Sequence, residues 1–90
     1  MATFTWDTRK AVANVRKHGV SFEEAATVFG DVLAIVVEDA VDLDRTLLLG
    51  MSERQRVLLV VNADIDDATI RIISARRATS HERRRYEEGP

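Results

Sequence analysis

Apolar residues return at helical spacing between Thr8 and His18. Ala11 and Val15 stand four apart with Val12 alongside, which predicts a helix with a narrow apolar stripe turned inward. Asp7 suits its N-cap and Gly19 its stop. Lys10, Asn14 and Lys17 or His18 fall on a neighbouring polar stripe, expected to be solvated, with a local side-chain hydrogen bond at the asparagine. Ser21-Phe22-Glu23-Glu24 reads as a capping box in which Ser21 and Glu24 each satisfy the other's free backbone N–H. The short helix it opens runs to Phe29, buries Phe22, Ala25, Ala26 and Phe29, and ends at Gly30. Gly19 and Val20 leave little slack, so the two helices form a tight hairpin.

The pattern then shortens to strand-like runs. Thr3-Phe4-Thr5-Trp6 alternates as a short strand or extended lead-in. Val32 to Val37 is a β-branched run too short for a comfortable helix, followed by an acidic loop from Glu38 to Asp44. Arg45–Gly50 and Arg56–Asn62 flank a polar turn, Met51 to Gln55, and a second turn, Ala63 to Ala68, leads into a strand over Thr69–Arg77. These predict an antiparallel meander of about four strands, with Leu58-Leu59-Val60-Val61 central and covered on both faces. Strict alternation along the last strand puts Ile70, Ile72, Ser74 and Arg76 on one face and Arg71, Ile73, Ala75 and Arg77 on the other. Thr79 to Glu82 repeats the capping-box logic and starts a closing helix, with Glu87 to Pro90 as a frayed tail. The expected fold is α+β in a single domain, residues 1–90: two N-terminal helices, an antiparallel sheet, and a C-terminal helix.

Composition narrows the chemistry. Ninety residues with 46% apolar and 31% charged side chains support one modest core. No apolar run approaches the ~20 residues of a membrane span, and no signal-like segment opens the chain, so a soluble cytoplasmic protein is expected. The absence of cysteine excludes disulfides, thiolate metal sites and cysteine nucleophiles. His18 and His81 show no metal-binding spacing, and neither metal nor cofactor is expected.

The net charge of −2 hides an asymmetry. Acids dominate from Glu23 to Asp67, while Arg9, Lys10, Arg16 and Lys17 mark one flank and Arg71, Arg76, Arg77, Arg83, Arg84 and Arg85 the other. Cations gathered at one strand and one helix are what a protein needs to hold a polyphosphate such as RNA. A solvated basic helix, or a face for an acidic protein, fits the same pattern. Direct DNA reading by the last helix fits poorly, because that helix is short and ends in Glu87-Glu88.

Trp6-Asp7, Lys10-Ala11, Asn14, Lys17-His18-Gly19-Val20, Phe22-Glu23-Glu24-Ala25, Phe29 and Asp31 resemble the N-terminal pattern of the BrnT family of type II toxins. Ile70-Arg71-Ile72-Ile73-Ser74-Ala75-Arg76, with Ala78, Glu82, Arg83 and Tyr86, resembles that family's second signature. The resemblance implies a RelE-like ribonuclease fold and a toxin that cuts RNA without a metal, free or on the ribosome, so that translation and growth stop. It further implies a BrnA-type antitoxin with a ribbon-helix-helix domain, through which alone the toxin meets operator DNA. A non-catalytic module that only binds such an antitoxin as a co-repressor would share the fold.

Metal-free RNA cleavage uses the substrate's own 2′-OH. It needs a base for that proton, cations for the crowded phosphorane and an acid for the leaving 5′-oxygen. Arg76 is the first candidate for the phosphate clamp because a guanidinium grips two oxygens while staying charged. Arg77 or Arg71 supports it, depending on which sheet face is open. His18 is the candidate acid/base, histidine being the side chain that trades protons near neutral pH, and Lys17 lends a neighbouring cation. Tyr86 would stack on a base or donate a proton, and Arg83 would contact a flanking phosphate. Each has a structural competitor: Arg76 pairing with Glu82, His18 placed by a helix C-terminus, and Tyr86 as core edge. Trp6 is read as packing, His81 as exposed, and Ser74 as no nucleophile.

Overall fold

A computed structural model describes residues 2–38 and 42–89. In chain order the elements are β1 (Thr3–Thr5), α1 (Thr8–His18), α2 (Phe22–Thr27) with a 3-10 turn over Val28–Gly30, β2 (Ile35–Glu38), β3 (Thr46–Met51), β4 (Val57–Asp66), β5 (Thr69–Arg77) and α3 (Ser80–Glu88). The strands form one sheet in the order β1-β5-β4-β3-β2. The meander of β2 to β5 is antiparallel as expected, and β1 adds a fifth strand, parallel to β5. The middle of the acidic loop, residues 39–41, lies outside the described residues, as does Pro90 at the tail.

Local signals set the helix ends. The Asp7 carboxylate accepts from the Lys10 N–H at 3.0 Å, and Gly19 stops α1 at φ +68°, its N–H bonded to the Val15 carbonyl at 2.8 Å. The capping box at Thr79 is complete, with Thr79 Oγ1 and Glu82 exchanging bonds to each other's N–H. At Ser21 only half of the expected box exists. Its hydroxyl accepts from the Glu24 N–H at 3.0 Å, but the Glu24 carboxylate turns away from the backbone toward other partners. The tail expected to fray is helical through Glu88. The strand expected from Val32 begins only at Ile35, because the Asp31 carboxylate takes the Leu33 N–H at 2.9 Å and holds Val32-Leu33 in a turn.

Between α1, α2 and one sheet face lies the core: Val20, Phe22, Ala25 and Val28 against Leu48, Leu58, Val60, Ile72 and Ala75. Burying a side chain such as Phe22, at 0% exposure, contributes on the order of 2–3 kcal/mol. Trp6 packs edge-on to Phe22 with ring centroids 5.9 Å apart. Leu49 and Leu59 point to the other face and are nearly covered too, so β4 is shielded on both sides as predicted. Gly50 lets the 3-10 turn press onto β3. A Cβ there would stand 2.8 Å from Ala34 Cβ and 2.9 Å from Val28 Cγ1.

Two expectations fail in instructive ways. The predicted alternation along β5 is broken, since Val61 pairs Ser74 while Asn62 pairs Ile72, leaving Ile73 as an unpaired extra residue. This bulge puts Ile72 and Ala75, three apart, on the same core face. In α1 Ala11 packs against the core as expected, but the buried residue beside it is Asn14, not the valines. Its amide Nδ2 donates to the carbonyls of Val20 (2.9 Å) and Ala75 (2.8 Å), and its Oδ1 accepts from the Ala75 N–H (3.2 Å). Buried with all its bonds made, this amide bolts α1 to β5. The helix is thereby rotated, leaving Val12 and Val15 about half exposed.

Candidate active site

Where β3 ends, β4 begins and β5 finishes, α3 passes over the sheet and leaves a cleft of about 280 Å³. Arg56, Arg77, Arg83 and Tyr86 line it, with Met51 and Glu87 at its side. Three arginines, from the β3–β4 turn, β5 and α3, line one depression of an acidic protein. That is an arrangement able to hold two or more phosphate oxygens at once.

Arg56 is placed by the tight β3–β4 turn. The Ser52 N–H donates to the Arg56 carbonyl at 2.8 Å, and Gln55 takes a left-handed φ of +63°. Its side chain is then fixed by Glu24. Arg56 Nε donates to Glu24 Oε2 at 2.9 Å and Nη2 to Oε1, Ser52 Oγ donates to Oε2 at 2.7 Å, and Nη2 also reaches the Gly19 carbonyl at 3.2 Å. The Arg56 hydrogen bonds hold the Glu24 carboxyl below its ordinary range despite its burial. An ion pair with one partner 3% exposed is a rigid mount, and the Arg56 side chain remains 21% exposed at the cleft.

Tyr86 is held from the other side. Its hydroxyl donates to Asp31 Oδ2 at 2.5 Å, and the same oxygen accepts from the Met51 N–H at 2.8 Å. Burial raises the Asp31 pKa, but the bonds from Met51, Tyr86 and Leu33 outweigh it, and the net shift is downward. The Asp31 bond, with burial behind it, pushes the Tyr86 phenol up to about 12. Its proton at neutral pH is therefore committed to Asp31, which leaves the ring as the part available to a ligand.

Arg76 is engaged elsewhere. Register puts it opposite Leu59, on the face away from the helical core, while Arg77 is the partner of Leu58. There Arg76 makes a bidentate pair with Glu82, Nη1–Oε1 2.8 Å and Nη2–Oε2 2.9 Å. That hydrogen-bonded pairing, against the cost of burial, lowers Glu82 to about 2. The carboxylate competitor weighed for Arg76 is thus the contact found.

Of the residues singled out in the sequence, Arg77, Arg83 and Tyr86 come together in the cleft. His18 is half-buried at the end of α1, next to Gly19, whose carbonyl Arg56 binds. Lys17 lines the outer face of α1 instead, beside Arg9 and Arg16. Arg71 is exposed at the far end of β5, paired with Thr5 of β1, roughly 20 Å along the strand from Arg77. Arg56, Glu24 and Asp31 were missed. One signal was available: Glu24 falls on the same helical side as Ala25 and Val28, so burial there demands a cation.

Comparison with known proteins first gives a class, the toxins of type II toxin-antitoxin systems. Within it the chain belongs to the BrnT family, described as "Ribonuclease toxin, BrnT, of type II toxin-antitoxin system", which it matches over residues 6–82. The fold is similar to a crystal structure of the Brucella abortus ribonuclease toxin BrnT, with a TM-score of 0.73 at 22% identity, covering 89% of this chain and 100% of that one. No curated protein matches the sequence significantly. Among the described residues no helix is long and apolar enough to cross a membrane.

Proposed function

We propose that this toxin is a metal-independent endoribonuclease whose cleft grips the scissile phosphate of RNA with Arg77, Arg83 and Arg56. The observation that carries the reading is one cleft lined by those three arginines together with Tyr86. In the reaction the substrate's 2′-oxygen forms a new P–O bond as the P–O5′ bond breaks. The products carry a 2′,3′-cyclic phosphate and a 5′-hydroxyl. The 2′ proton leaves to a base, the 5′-oxygen takes one from an acid, and His18, next to the Arg56-bound Gly19 carbonyl, is the side chain for that traffic. Arginines around the phosphorane offset the charge that grows in the transition state. Tyr86 acts as a stacking platform rather than a proton donor, since its own proton faces Asp31.

Arg76 takes a supporting part in this scheme, fixing α3 and hence Arg83 and Tyr86 through Glu82. A BrnA-like ribbon-helix-helix antitoxin would silence the toxin and carry it to operator DNA. The co-repressor reading draws on the same two clasps, which tie the Arg76 fork to Glu82 and the Tyr86 proton to Asp31, much as Arg56 is tied to Glu24.

The test is incubation of the purified chain with a defined RNA in EDTA, followed by mapping of product ends. Discrete cuts with cyclic phosphate ends are expected, falling about a hundredfold in Arg77→Ala with unchanged Tm. Arg76→Ala should lose activity together with order in α3. Full cleavage by Arg77→Ala would overturn the site. No cleavage by the parent protein, with or without translating ribosomes, would leave the co-repressor.

A further inference from the structure

Asn14 turns one side of α1 into the core and leaves the opposite side without a partner. The i to i+4 rows there are Thr8-Val12-Arg16 and Arg9-Ala13-Lys17, which border a shallow groove of about 590 Å³. Small apolar residues, Val12 and Ala13, form the middle of this saddle. Cations stand at both ends: Arg9 at one, Arg16 and Lys17 at the other, the first two about 10 Å apart along the axis. Val12 is 51% and, on the flank, Val15 48% exposed. The helix contains no acid, and among the described residues no carboxylate forms an ion pair with Arg9, Lys10, Arg16 or Lys17.

We propose that this face of α1 docks an acidic amphipathic helix of a protein partner. An apolar side chain of that helix would sit on Val12 and Ala13, with a carboxylate about one turn to either side reaching Arg9 and Arg16. The small Ala13 permits the 8–10 Å axis separation of close helix packing. Apolar burial and charge complementarity are then met by one ligand. The alternatives satisfy half of the face each. RNA would use the cations but leave the valines in water, and no aromatic residue offers stacking. A second copy of the chain would set three cations against three. An anionic membrane favours tryptophan, phenylalanine or leucine on the apolar side, and this side has none. The inference does not rest on the ribonuclease reading and stands if the cleft proves inert.

The test uses the full chain, isotopically labelled for amide NMR. The probe is a fluorescent alanine-based helical peptide of about four turns, with one leucine flanked by glutamates a turn before and a turn after. Saturable binding is expected, with shifts confined to α1 and the helix hairpin. Affinity should drop at least about tenfold in Arg16→Glu and in Val12→Ser, exposed positions whose circular dichroism should match the parent. The same peptide with lysines for glutamates should not bind. Absence of binding by the acidic peptide would overturn the proposal. So would tighter binding of oligouridylate or phosphatidylserine vesicles to the same amides, or concentration-dependent self-association that shifts α1.

Discussion

Asn14 is the residue on which most depends. One amide satisfies two carbonyls and one N–H across an interface that apolar residues would leave with orphaned backbone groups. Asn14→Ala is expected to cost about 2–3 kcal/mol in urea unfolding, far beyond the few tenths of an exposed helix position. Loss of less than ~0.5 kcal/mol would mean water replaces the amide at no penalty. Tyr86 offers a second single-residue check, because it is the chain's one tyrosine. Its folded pKa is raised, so the stability it lends through Asp31 is complete below the ordinary value near 10 and is lost as pH rises through about 12. Tyrosinate absorbance should therefore titrate near 12 in the parent and fall back toward 10 in Asp31→Asn.

Among the elements, α3 is the one held by clasps rather than by burial. It has no buried residue, and it is tied down by Glu82–Arg76 at its first turn and Tyr86–Asp31 further on. The Glu82 carboxyl is depressed to about 2 from an ordinary 4.5. Its contribution is thus fully present above about 4.5 and drains away as pH falls through about 2. Amide exchange in α3 should accelerate across that window before the sheet opens. Glu82→Gln should show loosened α3 exchange already at neutral pH, with the acid dependence gone. If exchange is the same in both proteins from neutral to acid, the clasp does not hold the helix.

Taken whole, the molecule separates its charges. A net acidic protein presents cations at a cleft and along α1, on different elements and with different proposed occupants. Counterion release can tell them apart. An RNA held by the three cleft arginines should lose affinity with a log–log salt slope of about −2, at about 0.7 per phosphate contacted on a single strand. A slope near −5 would mean that α1 also lies on the RNA, contrary to both assignments. The slope is read from binding titrations of a non-cleavable 2′-deoxy analogue, so chemistry does not interfere.

Local physics wrote much of the fold into the chain. The caps at Asp7, Gly19 and Thr79 act within a turn, and the β-branched runs flanking polar turns specify strands whatever surrounds them. The helix order, the antiparallel meander and the central, doubly covered β4 were therefore legible, as was the family through its two signatures. Contacts across the chain were not. The rotation of α1 depends on Val20 and Ala75 offering bonds to Asn14, and Ala75 lies far off in sequence. The faces of β5 depend on one bulged residue, Ile73, since an extra residue flips a period of two. The Arg56–Glu24 mount, the capture of Arg76 by Glu82 and the choice of Arg77 for the cleft follow from those placements. Short-range hydrogen bonding and periodicity belong to the sequence. Which side chain faces which partner belongs to tertiary packing, because burial makes each polar group take the partner that the fold brings to it.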